Sequence, residues 1–376
     1  MTIELRQVTK KFGDLAAVDR VDLSIDEGEV LCLLGPSGCG KTTTLRMIAG
    51  LEWASEGDVL LNGQRVNDLG ARERNVAMSF QFYALYPSLN VRDNLAYPLH
   101  AEGLSAGDID KRVDEIAKIL QLDHVLHRTP GQLAEGEKQR VAVGRSIIRD
   151  ATCFLFDEPL SRLDVQLRET MRGEIKEVLE GLNKPTVIVT HDQLEALTMA
   201  DRIAVMRDGR IEQVASPHEI FAKPANLFVA GFIGTPQMNL VPAKLVERAS
   251  NGVRFTFDQQ KVTMPINGAT SKLRAGDEVT LGIRPRAFDL ASEPADDTLD
   301  ASIDIIEPMG AETLLHLVTG SQMLRVVVDR RLRPAIGDKV HLRCRSNQLH
   351  LFGQDEQRIE HLPSAATKSA SMETAS

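Results

Sequence analysis

The pattern of apolar and polar positions divides the chain into three textures. Between Thr2 and Leu34 strand-like runs alternate with turns: Ile3 to Phe12 (IELRQVTKKF), Val18 to Ile25 and, after a Glu27-Gly28 turn, Glu29 to Leu34 (EVLCLL), a short apolar run of the kind that forms a buried parallel strand. Thr42 to Ala49 has the composition of a helix, ended by Gly50. Asp58 to Val66 carries Asn62-Gly63 between short runs, a hairpin signal, and Val76 to Phe80 predicts a strand that ends at Gln81. From Phe82 to Leu133 the alternation gives way to proline-punctuated loops and one amphipathic helix, with Ile109, Val113, Ile116 and Leu120 on one face. Strand and helix signals then return. They predict a strand over Thr152 to Phe156, a helix over Val165 to Leu182 with Leu167, Met171, Ile175, Leu179 and Leu182 at core spacing, and a strand over Thr186 to Val189. A hairpin over Arg202 to Val214 turns at Asp208-Gly209, and a helix capped by Ser216, with Pro217 and Glu219 behind it, stops by Pro224.

From about Gly234 the texture is β-rich. Runs at Val253 to Phe257, Lys261 to Pro265, Glu278 to Arg284, Ser302 to Ile306, Thr313 to Val318, Met323 to Val328 and Lys339 to Leu342 are separated by Gly or Pro turns, which predicts a small all-β barrel or sandwich. The expected organisation is an α/β domain over 1–233 with a helical insertion at about 82–150, a β-rich domain over 234–362, and a disordered Ser-, Ala- and Thr-rich tail over 363–376.

Composition narrows the functional classes. At 376 residues the chain is long enough for two domains. A net charge of -9 argues against a nucleic-acid binder that works through a broad basic face, so the Arg330-Arg331-Leu332-Arg333 cluster is expected on a solvated surface. Cys32, Cys39, Cys153 and Cys344 have no metal-ligand spacing and fit a reducing cytosol. No N-terminal signal pattern or membrane-spanning apolar stretch is visible, so a role at a membrane requires another chain as anchor.

The chemistry gathers at Gly35-Pro36-Ser37-Gly38-Cys39-Gly40-Lys41-Thr42-Thr43, between the predicted strand and helix. Glycines at 35, 38 and 40 let successive N–H groups curl toward anionic oxygens, and the helix N-terminus adds partial positive charge. Lys41 is placed to reach β and γ phosphates and Thr42 to offer a hydroxyl to Mg²⁺. Cys39 reads as a small filler, because such a loop works through its backbone. Asp157-Glu158 emerge from a buried strand, where carboxylates are costly without a partner. The natural partner is Mg²⁺ for Asp157, with Glu158 left to polarise water. His191 ends another buried strand at the same sheet edge, which favours a functional over a structural histidine.

Together these residues resemble an ATP-binding-cassette (ABC) transporter ATPase, over nearly the whole chain and most closely the ATPase subunits of bacterial carbohydrate importers. GPSGCGKTT at 35–43 resembles the family's Walker A motif and FLFDEP at 154–159 its Walker B motif with the catalytic glutamate. Gln81 is similar to the Q-loop residue and His191 to the switch histidine. YALYPSLNV, THDQLEA, ADRIAVMRDGRIEQV, the Gly234–Asn239 stretch and LGIRPR at 281–286 are similar to the importer subgroup, whose C-terminal domain is an OB-like (TOBE) regulatory barrel. The resemblance implies two subunits clamping two ATP molecules and driving a two-permease transmembrane complex from its cytoplasmic face, fed by a solute-binding protein, with no nucleic-acid partner. It further implies that Phe12 stacks on adenine, that Gln81, Thr42 and Asp157 hold Mg²⁺, that Glu158 polarises the attacking water and that His191 contacts the γ-phosphate. The helical insertion would receive a permease helix. The solute expected is a sugar, polyol or sugar phosphate. The alternatives are a polyamine, iron or sulfate importer, or a nucleotide-binding regulator with little hydrolysis.

One element departs from the family. The signature Leu-Ser-Gly-Gly-Gln, which acts on the other subunit's ATP, is here Leu133-Ala134-Glu135-Gly136-Glu137. Ala134 removes a hydroxyl whose helix cap alone is worth about 1 kcal/mol. Glu135 and Glu137 are expected to bring negative charge toward a triphosphate, at a cost on the order of 4 kcal/mol for like charges about 4 Å apart in a partly screened site. Arg162, where the family has a small residue or Asn, is the expected compensating cation. Arg286 stands where the family tends to have Glu. The altered signature leaves homodimer and heterodimer both open and favours pairing with a second ATPase subunit whose signature is intact.

Overall fold

Val30–Leu34 is buried at every position, the signature of a strand covered on both faces. The computed structural model describes residues 1–161, 163–249, 252–258, 260–264, 266–267, 273–345, 348–359 and 362–363. They fall into two units, Met1–Ile220 and Phe221–Ser376.

The first unit contains strands β1 (Ile3–Phe12), β2 (Leu15–Ile25), β3 (Val30–Leu34), β4 (Glu56–Leu61), β5 (Gln64–Arg65), β6 (Ala77–Ser79), β7 (Phe154–Asp157), β8 (Thr186–Thr190), β9 (Arg202–Arg207) and β10 (Arg210–Ala215). Its helices are α1 (Lys41–Ala49), α2 (Ala71–Arg74), α3 (Val91–Ala101), α4 (Ala106–Ile119), α5 (Glu135–Ile147), α6 (Val165–Leu182) and α7 (Gln193–Met199), and α8 (Pro217–Ala222) runs across the division. One sheet has the order β10-β9-β3-β8-β7-β6, and a second, antiparallel one the order β2-β1-β4-β5. Strand alternation sorts the core. Phe154, Phe156 and Ile188 face a cluster built from the insertion helices and α6. Cys153, Leu155, Val187 and Val189 face the cluster that joins α1 to the antiparallel sheet.

The insertion holds more helix than expected. Beside α4, whose Ile109 and Val113 are buried as predicted, α3 starts at Asn90, whose side chain accepts the Asp93 N–H, and continues through Pro98. An internal proline and a weaker apolar stripe hide such a helix from periodicity. The strand predicted over Val76 to Phe80 is confined to Ala77–Ser79.

The second unit comprises α9 (Leu227–Phe232) and strands β11 (Asn239–Ala249), β12 (Gly252–Phe257), β13 (Gln260–Met264), β14 (Ile266–Asn267), β15 (Glu278–Ile283), β16 (Phe288–Ala291), β17 (Thr298–Pro308), β18 (Glu312–Thr319), β19 (Gln322–Asp329), β20 (Lys339–Cys344), β21 (Leu349–Phe352), β22 (Arg358–Ile359) and β23 (Leu362–Pro363). They form sheets of order β13-β12-β11-β15-β21-β22 and β16-β20-β17-β18-β19, with β14 paired to β23. Phe255, Phe257, Leu281, Leu299, Leu317 and Val326 share one core between the sheets. The Arg330–Arg333 cluster is exposed, as expected.

The division at 220/221 lies upstream of the 233/234 boundary read from the sequence. The intervening residues belong with the barrel: Ala230 of α9 packs on Met238 and Phe352, and Leu227 N–H donates to Glu356 and Arg358 N–H to Ala225. Arg284 fastens the same segment, donating to the carbonyls of Ile233 at 2.8 Å and Phe221 at 2.6 Å, with its guanidinium 3.5 Å from the Phe221 ring centroid. Burial pulls its pKa down to about 10. Replacing Arg284 with Met is expected to cost about 3 kcal/mol, the worth of charge-assisted bonds to two carbonyls, read as a shift of the denaturant midpoint. Pro363, assigned from sequence to a disordered tail, is paired with Ile266. Residues 364–376 lie outside the described residues.

Candidate functional site

Three parallel strands deliver the chemistry to one edge. β3 pairs with β8 and β8 with β7, in register and in the same direction. Their C-terminal ends, Leu34, Thr190 and Asp157, therefore open side by side, where open α/β sheets bind ligands. Gly35–Gly40 follows the first, His191 the second and Glu158 the third.

The loop needs its glycines for different reasons. Gly38 and Gly40 have φ of 80° and 103°, which side chains rarely adopt. A Cβ on Gly40 would lie 2.4 Å from the Ala17 carbonyl oxygen, and one on Gly35 would lie 2.3 Å from that of Met206. The loop is thus wedged between β2 and β9, and the Gly209 N–H bonds Cys39 O at 3.1 Å. Ala17 and Gly209 went unnoticed in the sequence, where the only trace is the Asp208-Gly209 turn.

Gly40 precedes α1 with no side-chain cap, so the first-turn N–H groups face the loop. Pro36, Ser37 and Gly38 are exposed, while Thr42 and Thr43 are half-buried on α1. Lys41 is only 6% exposed, and its Nζ arches back to the carbonyls of Gly35 at 2.8 Å and Pro36 at 2.9 Å. Cys39 is buried, with Sγ 3.7 Å from that ammonium, and fills space as expected.

Thr42 Oγ1 donates to Asp157 Oδ1 at 3.2 Å. Burial pushes the Asp157 carboxyl above the usual carboxylate range, against the Thr42 hydrogen bond. A hydroxyl and a carboxylate oxygen suit a small hard cation that takes its remaining ligands from phosphate and water. Among the described residues no group of three or more His, Cys, Asp or Glu side chains is arranged to hold a metal ion.

Glu158 sits at φ 50°, a strained turn for a non-glycine residue, and its backbone N–H bonds Val189 O at 2.9 Å. Its carboxylate is held from two sides: Gln81 Nε2 donates to Oε2 at 2.7 Å and His191 Nδ1 to Oε1 at 3.0 Å. Gln81, Glu158 and His191, three separate picks from the sequence, meet at one carboxylate. Phe12 stands apart at the β1–β2 turn, 49% exposed, with Lys10 Nζ 4.9 Å above its ring.

The residues 133–137 lie at the start of α5, where their carboxylates find partners within the chain. Ala134 occupies the N-cap and provides no side-chain bond, as expected. Glu137 does not project outward: its Oε2 accepts the Ala134 N–H at 2.7 Å, half of a capping box, and its other oxygen lies 3.2 Å from His124 Nε2. Glu135 bonds Lys138 at 2.6 Å and the Tyr83 hydroxyl at 2.8 Å. Leu133 is buried, and a Cβ on Gly136 would meet Leu167 at 2.6 Å. Both carboxylates are thus engaged within the chain. Arg162 lies outside the described residues.

Comparison with known proteins agrees with this geometry. Residues 18–161 match the ABC transporter family model, 234–288 the MalK OB fold domain and 281–352 the TOBE domain. The sulfoquinovosyl glycerol transport ATP-binding protein SmoE of Agrobacterium fabrum is 42% identical over 96% of this chain and 99% of its own length. The sn-glycerol-3-phosphate import ATP-binding protein UgpC of Escherichia coli K12 is 43% identical over 95% and 99%. Among solved structures, a dimeric ATP-binding cassette in a post-hydrolysis state with ADP and Pi aligns with a TM-score of 0.52 and 32% identity, over 57% of this chain and 98% of that one. The chain belongs to the ATP-binding subunits of ABC transporters, in the carbohydrate-importer group with MalK-type OB and TOBE domains, and is an ATPase that couples hydrolysis to import.

Proposed function

We propose that this subunit powers import of a sugar, polyol or sugar phosphate, and that its own nucleotide site is catalytically complete while its signature is not. The observation that carries the first half of the site reading is the Glu158 carboxylate, held between Gln81 and His191 beside the Thr42–Asp157 pair. The solute class rests on the transport proteins for sulfoquinovosyl glycerol and glycerol phosphate that the chain resembles.

In this reading the N–H groups of Gly35–Thr43 and the Lys41 ammonium bind the phosphates, and Phe12 offers its exposed ring to adenine. Thr42, Asp157 and Gln81 hold Mg²⁺, which when bound neutralises charge on the phosphates. Glu158 accepts hydrogen-bonded water and orients it for attack. His191 fixes that carboxylate through Nδ1 and in this reading contacts the γ-phosphate. Phosphoryl transfer asks for little more than such positioning and electrostatics.

The subunit works on the cytoplasmic face of a two-permease complex, which it meets through the insertion. No helix among the described residues is long and apolar enough to cross a membrane. Ala134 leaves the signature without a hydroxyl for a facing triphosphate. A second ATPase subunit therefore supplies the intact signature that faces the site built on Lys41 and Glu158. The C-terminal barrel is the regulatory domain.

Substitution tests the metal assignment. Thr42→Ala and Asp157→Asn are each expected to raise the Mg²⁺ concentration for half-maximal hydrolysis about tenfold or more, the loss of one charge-assisted ligand, with nucleotide binding in EDTA unchanged. Unchanged Mg²⁺ dependence in both variants would remove these residues from the metal site.

A further inference from the structure

Behind His191 lies a charged network that the reaction as described does not use. α6 presents Arg168, Arg172 and Lys176 at four-residue spacing, so all three lie on one face of the helix. That face meets α7: Arg168 Nη1 bonds Asp192 Oδ2 at 3.0 Å, Arg168 Nε lies 3.9 Å from Glu195 Oε1, and Lys176 Nζ donates to Thr198 O at 3.2 Å. Arg168 also reaches the other way, where its Nη2 donates to Leu163 O at 3.0 Å. Leu163 belongs to the short segment after the catalytic carboxylate, in which Ser161 Oγ bonds Glu158 O at 3.2 Å. One guanidinium therefore ties the segment following Glu158 to the residue following His191.

The far end is equally constrained. Asp192 caps α7 by accepting the N–H groups of Leu194 at 2.8 Å and Glu195 at 3.3 Å. Its own N–H bonds Thr190 Oγ1 at 3.0 Å, and that hydroxyl donates to the buried Glu195 carboxylate at 2.6 Å. His191 is thus gripped on both sides by residues whose positions depend on the α7 cap. Burial works against ionisation of Asp192, yet the Leu194 and Glu195 N–H groups and Arg168 outweigh it and hold the carboxyl below its ordinary range. An ionised Asp192 is the stronger acceptor for Arg168.

We propose that Arg168 is a positioning residue for hydrolysis, which acts through Asp192 and the Leu163 carbonyl to hold His191 against Glu158. The inference rests on the reading that His191 and Glu158 serve the reaction. A planar fork with two separate acceptors explains why this position takes Arg, since a lysine ammonium reaches one of them at a time.

The test uses the full-length chain in whichever assembly turns over, alone or with its partner subunit. Arg168→Met is expected to lower kcat roughly ten- to a hundredfold, the scale of a small displacement at a reacting centre, with nucleotide affinity within about twofold. Arg168→Lys should recover part of the rate. Because Arg168 acts through His191, Arg168→Met in a His191→Ala background should cost no further activity, whereas a purely structural contribution would add. Should Arg168→Met fail to fold, Arg168→Lys and Asp192→Asn carry the same comparison. Unchanged kcat, or full additivity with His191→Ala, would overturn the proposal. A His191→Ala variant with undiminished turnover would instead overturn the underlying reading of the site.

Discussion

Replacing Glu158 with glutamine is expected to reduce turnover by roughly 10²- to 10⁴-fold, the usual worth of a positioned general base, while leaving ATP bound. The shape of the side chain is kept, so the amide oxygen still accepts one hydrogen bond from Gln81 or His191, which now bond the carboxylate at 2.7 and 3.0 Å. The second acceptor is lost and the negative charge with it. The Glu158 N–H to Val189 bond and the φ of 50° belong to the backbone and survive. Steady-state phosphate release with a parallel nucleotide-binding titration checks both halves. Loss of binding in step with turnover would mean that Glu158 supports the phosphate site instead of attacking water.

Replacing Lys41 with alanine should act in the opposite sense, on binding first. Charge-assisted hydrogen bonds are worth about 1.5–3 kcal/mol each, so ATP affinity is expected to fall about ten- to a hundredfold or more. The ammonium is buried and bonded to the Gly35 and Pro36 carbonyls. Its removal therefore also deprives the loop of two internal bonds, and the protein without nucleotide should lose about 1–2 kcal/mol of stability. Arginine should not rescue binding, because a fork does not fit a space shaped around one nitrogen with Cys39 packed beside it. A fluorescent nucleotide titration and a thermal melt read the two effects.

Much of this site was legible because its parts are local. A buried run, a glycine-rich turn and Lys-Thr at the head of a helix specify one another over a few residues. The strand ends bearing Asp157-Glu158 and His191 follow from buried runs of similar kind. The meeting of Gln81 and His191 on one carboxylate depends instead on which strands are neighbours, and the sequence did not show it: resemblance offered Gln81 for Mg²⁺ and His191 for the γ-phosphate. Elements were missed where composition hides them. β11 carries Pro242 amid Lys, Glu and Arg, yet pairs on both sides with β12 and β15. α3 carries Pro98. The boundary read at 233/234 is where the match to the MalK OB fold domain begins, whereas compactness divides the chain at 220/221, because α9 packs on Met238 and Phe352.

Charge is the feature whose local partners the sequence shows least. Sequence shows two carboxylates where the family has glycine and glutamine, and nothing in it says where they point. In the fold Glu137 caps α5, and Glu135 engages Lys138 and Tyr83. The N-cap itself, Ala134, carries no hydroxyl, and Glu135 stands where the family has glycine.

The most direct measurement is the Mg–ATPase rate of the purified full-length chain without any partner, compared with a variant carrying Ala134→Ser, Glu135→Gly and Glu137→Gln. The expected result is slow hydrolysis by the natural sequence and a rise of about tenfold or more in the variant, since a restored hydrogen bond to a charged phosphate is worth about 1.5–3 kcal/mol. Brisk hydrolysis by the natural chain, unchanged in the variant and in Glu135→Gly alone, would contradict an impaired signature and the need for a second kind of ATPase subunit.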